Sequence, residues 1–387
     1  MTRASVEPIR VMFAVSRLQR GGLEQVLLDI ATGLAPRGFE FEIVALQGEG
    51  ARDAEFRSAG VPVTLLAGRP NARAVLANLG CLAALARTLR SRRPHILQSH
   101  HFFSGVLGRV AGRLGGVGAL LQADHNFYLW KGPAARAADR LLAAFTDAFV
   151  TPSQAVADHV ARTHGVDAGR IQVVPNGVAA PPVLASRAAA RERLGLPADV
   201  PVVGFVGRLA PPKRPESFLR VFAEVAASDQ RPVAAILGGG PLEGACRARA
   251  RALDTRVRFA GEVPAAAALM AAFDVVVSTS SEEGFGLGVA EAILAGVPVV
   301  VPPLAVFREL LPAWPERFFA TEETAARAVL ELLREPAPAL EAAARSRRHL
   351  LEARSPKAML DAYERLYRGL VSSAARTPRP DRAGARA

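Results

Sequence analysis

Glu283-Gly284-Phe285-Gly286-Leu287-Gly288-Val289-Ala290-Glu291 decides how this chain is read. It follows a short apolar run, Asp274-Val275-Val276-Val277-Ser278, and leads into an apolar helical pattern from Ala290 to Ala295. A strand, a glycine-rich turn and a helix in that order present unpaired backbone N–H groups and the positive end of a helix, which suits phosphate. The two carboxylates are eight residues apart. Glu283 therefore falls in the turn, and Glu291 about one and a half turns inside the helix. Anionic side chains repel phosphate unless they serve something else. As acceptor-only groups they suit the vicinal hydroxyls of a sugar.

Glutamate, seven residues and glutamate, with Gly-Phe-Gly-Leu behind the first, resembles the EX7E motif of retaining GT-B glycosyltransferases of family 4. The serine-rich strand end before it and Ala295-Gly296-Val297-Pro298-Val299-Val300 after it strengthen the likeness. The resemblance extends over nearly the whole chain. It implies an α/β, GT-B fold, with two Rossmann-like domains facing across a central cleft.

The chain has 387 residues, room for two ordinary domains, and half of them are hydrophobic. Cys81 and Cys246 form neither a disulfide framework nor a metal-ligand pattern, which fits a reducing cytosol. Ile9–Val15 is too short for the apolar core of a signal peptide and reads as a first strand. No apolar run reaches the length of a membrane span. The net charge is +12, and no Asp or Glu occurs between Phe56 and Ala123, where Arg57, Arg69, Arg73, Arg87, Arg90, Arg92, Arg93, Arg109 and Arg113 lie. Nucleic acid and an anionic membrane are the competing partners. The stretch offers only Phe56, Phe102 and Phe103 as aromatics, so an anionic membrane surface is expected and nucleic acid is not. Arginine is also abundant throughout, which is the compositional alternative. Only three of the 48 basic residues are lysine, Lys131, Lys213 and Lys357, so a lysine beside a motif stands out.

Short apolar strands alternate with helical patterns, as in a parallel sheet with helices on both faces. Strands are expected at Ile9–Val15, Phe41–Leu46, Val63–Leu66, His95–Gln98, Leu120–Ala123, Ala148–Val150 and Gln172–Val174. In the second half they fall at Val202–Val206, Val233–Leu237, Val257–Phe259, Asp274–Ser278 and Val297–Val301. Helical patterns include Glu24–Leu34, Val75–Arg92, Glu216–Ala226, Leu242–Leu253, Ala265–Ala272 and Leu287–Ala295. Pro175-Asn176-Gly177-Val178 marks a break. The expected domains are 1–178, which would bind the acceptor, and 179–355, which would bind the nucleotide sugar. A helix at 356–371 would return to the first domain, as the resemblance implies. The Arg/Pro/Ala/Gly-rich tail at 372–387 reads as disordered.

Val206-Gly207-Arg208-Leu209-Ala210-Pro211-Pro212-Lys213 follows the first strand of the second domain. Gly207 allows close backbone approach, and two cations stand at a strand's carboxyl end. The resemblance assigns Arg208 and Lys213 to the donor diphosphate, as counter-charges for the leaving group. It places Gly239 of Leu237-Gly238-Gly239-Gly240-Pro241 near the nucleotide, although a tight turn alone would also use glycine. It further puts Glu291 on the ribose hydroxyls and Glu283 against the transferred sugar. The amides of Phe285, Gly286 and Leu287 would reach the sugar and phosphate. No metal motif is present, so metal-independent transfer is expected, with no cofactor and a UDP- or GDP-type sugar as substrate. Pro302-Pro303-Leu304-Ala305-Val306-Phe307-Arg308-Glu309 departs from the family pattern. It keeps the glutamate but lacks the glycines, and is expected to close differently.

In the first domain, Gly21 and Gly22 open a helix after the first strand, and the resemblance sets them beside the donor phosphate. Asp124-His125-Asn126 stands at a strand's carboxyl end, where sites lie. The resemblance makes His125 a catalytic residue facing the sugar, a hydrogen-bonding group rather than a simple base. His100 and His101 are second candidates. Adjacent residues point apart, and no carboxylate stands beside them in sequence, which argues against a metal pair. Tyr128, Trp130 and Lys131 form a loop suited either to an acceptor or to surface packing.

The implied activity is retaining transfer of a hexose from a nucleotide diphosphate to a glycan or lipid-linked acceptor. It belongs with cell-surface polysaccharide or lipopolysaccharide synthesis, on the cytoplasmic face of the membrane. The alternatives are a nucleotide-sugar epimerase or phosphorylase and a non-catalytic glycan- or nucleotide-binding protein. A nicotinamide dehydrogenase would need G-x-G-x-x-G after a first strand, which neither domain supplies.

Overall fold

A computed structural model describes residues 7–68, 78–181, 184–253, 255–312 and 318–376. The chain divides into two compact units, one formed by Met1–Gly177 with Pro356–Ala387 and the other by Val178–Ser355.

The first unit runs β1 (Ile9–Val15), α1 (Gly22–Leu34), β2 (Phe39–Ala45), α2 (Asp53–Ser58), β3 (Val63–Leu65), α3 (Leu79–Arg92), β4 (Ile96–His100), α4 (His101–Leu114), β5 (Ala119–Ala123), α5 (Pro133–Ala143), β6 (Ala148–Thr151), α6 (Gln154–His164) and β7 (Ile171–Val173). All strand pairings are parallel and the order is β3-β2-β1-β4-β5-β6-β7. The strands are nearly continuous apolar runs because helices cover both faces. Strand order reverses between β1 and β4. At such a reversal the flanking loops part and leave a crevice beyond the carboxyl ends.

The second unit runs α7 (Arg187–Leu194), β8 (Val202–Val206), α8 (Pro215–Ala226), β9 (Val233–Leu237), α9 (Glu243–Ala252), β10 (Val257–Gly261), β11 (Val275–Val277), α10 (Leu287–Leu294), β12 (Val299–Val300), α11 (Ala305–Leu310), α12 (Glu322–Arg334) and α13 (Pro336–Ala353). Its parallel sheet has the order β10-β9-β8-β11-β12 and reverses between β8 and β11. Both motifs singled out in this half therefore leave the sheet at its reversal.

The last helix, α14 (Pro356–Arg376), belongs to the first unit and packs on α1, β4 and β5. Tyr363 and Tyr367 are buried, and the Tyr367 hydroxyl donates to Gln98 Oε1 at 2.6 Å.

Several expected boundaries move. Ser372–Arg376 continues α14 instead of starting a disordered tail, because Ser-Ser-Ala-Ala-Arg extends a helix already nucleated. The rest of the expected tail, 377–387, lies outside the described residues. The expected helix at Val75 begins at Leu79, its first three residues lying outside the described ones. Ala266–Ala272 is a 3₁₀ segment rather than an α-helix, entered from Ala265 in left-handed backbone (φ +51°). The expected strand Val297–Val301 shortens to Val299–Val300.

Candidate active site

In the second unit the loop after β8 and the loop after β11 are tied together. Thr279 Oγ1 donates to the carbonyls of Lys213 (3.0 Å) and Arg214 (2.8 Å), and Ser281 N–H donates to Pro212 O at 2.9 Å. Across this seam the Lys213 ammonium donates to Glu283 Oε1, and Ser280 Oγ donates to the same oxygen at 2.8 Å. Glu283 is buried and Lys213 partly exposed. The sequence reading placed Lys213 on a phosphate and Glu283 on a sugar. The structure brings the two into contact. Arg208 and Arg214 are both exposed, and Arg208 has no ion-pair partner among the described residues.

The glycines here do separate jobs. Gly238 and Gly240 (φ +134° and +153°) lie against the preceding loop, and a Cβ on them would meet Gly207 O at 2.1 Å and Leu209 O at 2.5 Å. Gly239, the expected ligand contact, has ordinary backbone, and its carbonyl accepts from Leu209 N–H at 2.8 Å. Gly286 caps α10 at φ +90°, where a Cβ would stand 2.6 Å from the Phe307 ring. Phe307 is the fully buried residue of α11, so the glycine-free segment 302–309 closes by packing an aromatic ring under the Gly-Phe-Gly turn. Beyond that cap the amides of Leu287 and Gly288 have no intrahelical acceptor, as at any helix N-terminus. Val289 and Ala290 already bond Gly286 O.

Glu291 is part-buried, with no side-chain hydrogen bond or ion pair among the described residues. Burial pushes its carboxyl from 4.5 up to about 7.

In the first unit the residues flanking the sheet reversal gather three histidines. His100 ends β4, is fully buried, and its Nδ1 lies 2.9 Å from His125 Nε2. His101 starts α4 in left-handed backbone (φ +64°), and its Nδ1 lies 2.7 Å from the Tyr128 hydroxyl. The turn at His101 brings both adjacent histidines against His125, with ring centroids 5.2 and 5.8 Å away. The expectation that they point apart is thus corrected, and Asp124 is near enough to His101 to act on its charge. Burial drives all three rings toward neutrality, His101 down to about 4, His125 to about 3 and His100 well below its ordinary value. Gly21 and Gly22 are exposed in the loop after β1, which folds over Glu24 through a Gln19 N–H bond of 3.1 Å.

Sequence reasoning missed what holds the loop between β5 and α5. Asp139 of α5 is buried and takes Arg109 at 2.8 Å and Lys131 at 2.7 Å, with His164 Nε2 at 3.4 Å. Burial would raise the Asp139 carboxyl, but the His164 hydrogen bond and the Lys131 charge hold it well below the usual range. Lys131 also lies over the rings of Phe102 and Tyr128 (5.0 and 4.8 Å). Arg109, read among the surface arginines, is an interior ion-pair partner. The scarcity of lysine was the signal available for Lys131.

With this geometry in place, the comparisons can be stated. Residues 20–180 match the family described as Glycosyltransferase Family 4, and residues 200–335 match Glycosyl transferases group 1. The D-inositol 3-phosphate glycosyltransferase of Kineococcus radiotolerans is 30% identical over 326 residues, covering 74% of each chain. Among solved structures, Anabaena Alr3699/HepE in complex with UDP and glucose superposes with a TM-score of 0.82 at 21% identity, covering 93% of this chain and 100% of that one. WaaG, a glycosyltransferase involved in lipopolysaccharide biosynthesis, gives 0.72 at 17%, covering 93% and 100%.

Glu291 sets a pH dependence of stability. Its folded value lies above its unfolded one, so its contribution is fully present below about pH 4.5 and is lost as pH rises through about 7. Glu291→Gln should therefore match the wild type in stability near pH 4.5 and exceed it by up to about 3 kcal/mol above pH 8. Thermal melts of both proteins across that range check this; parallel curves would refute it.

Proposed function

The chain belongs to glycosyltransferase family 4, with the GT-B fold, and we propose that it moves a hexose from a nucleotide-diphosphate donor to a glycan or lipid-linked hydroxyl with retention of configuration. The observation that carries this reading is the Lys213–Glu283 contact across the sheet reversal, beside the N-terminus of α10. An ammonium has three donors, so Lys213 can keep Glu283 and take a phosphate oxygen as well. Arg208 and the Leu287 and Gly288 amides complete the diphosphate's counter-charge without a metal. Glu291 takes the ribose hydroxyls. As the C1–O bond to the diphosphate breaks, the acceptor oxygen bonds C1 from the same face and its proton passes to the departing phosphate oxygen. Glu283, already engaged by Lys213 and Ser280, orients the sugar rather than attacking it.

UDP is the first donor to test, since the Anabaena neighbour binds UDP and glucose. Cell-surface glycan synthesis is supported by the likeness to WaaG. The curated relatives named for D-inositol 3-phosphate favour a second acceptor class, a phosphorylated polyol.

Contacts in the first unit support the anionic-membrane reading. Leu114 (54% exposed), Leu141 (68%) and Phe145 (45%) are exposed apolar side chains, and Arg87, Arg90 and Arg113 are exposed as well. Arg90 bonds Leu114 O at 2.9 Å, and Arg113 lies over the Phe145 ring at 5.8 Å, so arginine and apolar surface adjoin at both places. Each arginine adds about 1 kcal/mol near an anionic leaflet. Arg69 and Arg73 lie outside the described residues. Among the described residues no helix is long and apolar enough to cross a membrane.

Thermal shift with UDP, GDP and ADP should single out one nucleotide, by about 2.7 kcal/mol at a hundredfold Kd, and Glu291→Ala should abolish the shift. Lys213→Ala should lower kcat by about 10²-fold. A loss under threefold removes Lys213 from the chemistry, and no shift with any nucleotide favours the non-catalytic binding alternative.

Sedimentation with vesicles should require anionic phospholipid and weaken with salt. Leu141→Asp with Phe145→Asp should reduce it, and indifference to lipid charge would remove the membrane reading.

A further inference from the structure

His100 lies beneath the candidate site. Its carbonyl accepts from Ser104 Oγ, the Phe13 ring stands edge-on to it at 5.4 Å, and its Nε2 is buried without a partner. The rings of His100 and His125 are within 14° of parallel, with centroids 5.2 Å apart. For an N···N contact of 2.9 Å this is close to the largest separation possible, so the contact runs along both ring planes, where the lone pair and the N–H lie. It is a hydrogen bond and not a stacking contact. With both rings neutral, a single proton occupies it. Either His100 Nδ1–H donates and His125 Nε2 accepts, or the reverse.

The two arrangements differ at the far nitrogens. In the reverse arrangement His100 would carry its remaining proton on Nε2, leaving an N–H donor buried with no acceptor. Protein interiors tolerate a bare acceptor more readily than an orphaned donor. Which nitrogen of a histidine carries the proton is set by the bond the other one makes. We propose that His100 is a positioning residue that fixes His125 in the Nδ1–H tautomer, so that His125 offers the substrate a hydrogen-bond donor and no basic nitrogen.

The surroundings are consistent with a fixed ring. Neither nitrogen of His125 is a buried orphan, and its backbone N–H donates to the Tyr128 hydroxyl at 3.4 Å. Tyr128 is itself in left-handed backbone (φ +50°). Strained backbone of this kind persists where the surroundings over-determine it. The groups packed around the pair are His101, Tyr128 and, through His101, Asp124 and Lys131. The contact of His125 with substrate rests on the function proposed above; the tautomer does not.

The test is ¹⁵N NMR of the ring nitrogens in the full chain labelled at histidine, with His125 assigned by His125→Gln. The expected spectrum shows His125 protonated at Nδ1 in the wild type. His100→Leu should return it to the Nε2–H form that free imidazole side chains prefer, and His100→Asn, whose amide can donate from the same place, should keep Nδ1–H. Nε2–H on His125 in the wild type, or a tautomer unmoved by His100→Leu, would overturn the assignment. The second readout is UDP release from UDP-glucose. His100→Leu should lose at least tenfold in kcat with UDP affinity unchanged, while His100→Asn stays within about threefold. Full turnover by His125→Ala would overturn the substrate contact while leaving the nucleotide-binding reading of the second unit standing.

Discussion

The first sheet depends on the end of the chain. β1, β2, β4 and β5 present Phe13, Phe41, Ile43, Ile96 and Leu121 on one face, and α14 joins α1 in covering it with Met359, Tyr363 and Tyr367. The chain leaves this unit at Gly177 and re-enters at Pro356, and the two points touch. A Cβ on Gly177 would stand 2.6 Å from Pro356 Cα, and the Gly177 amide donates to Met359 Sδ at 3.0 Å. Glycine is required there by close approach, not by its backbone angle. The second unit is therefore an insertion in a loop of the first. Closing so long a loop costs little more than closing a shorter one, because each doubling adds only about 0.6 kcal/mol. Tyr367 binds Gln98 two residues before His100, on the same face of β4, so the helix that completes the core also anchors the strand bearing the buried histidine.

Each sheet reverses its strand order once, and the notable side chains leave at that reversal. In the second unit the Lys213–Glu283 pair joins loops 70 residues apart in sequence. A partly exposed pair of this kind contributes little to stability, because side-chain entropy and solvent offset most of its attraction. What it does is fix the position of a cation at the sheet reversal. The burial of Asp139 with Arg109 and Lys131 is a different case. All three are nearly dry, and removing one partner would strand a charge, which costs several kcal/mol. That triad fastens the loop following β5 to α4 and α5, and with it His125.

Much of this was legible in the chain. β1, β8 and β9 fall on their expected residues, because parallel strands read as short apolar runs between turn residues. The motif around Glu283 was legible because glycines, a helix start and two carboxylates coincide. The pairing of Lys213 with Glu283 was not, since nothing local records which loop lies beside which. What the chain did not show is that strand passes directly into helix at His100 and His101, which the left-handed backbone of His101 brings about. Gly238 and Gly240 were passed over for Gly239 because a run of three glycines does not show which of them have a neighbouring backbone against them.

Desolvation shifts charge in each unit. Burial raises Glu291 to about 7 and lowers His101 and His125 to about 4 and 3, so at neutral pH each is wholly or partly uncharged. Uncharged donors and acceptors in a dry setting favour hydroxyl groups, which bring no charge of their own to desolvate. Phosphate needs the opposite, and the second unit supplies it with Lys213, the exposed Arg208 and the open amides of α10. Within the second unit the part-buried Glu291 suits a hydroxyl, while Lys213 and Arg208 suit an anion.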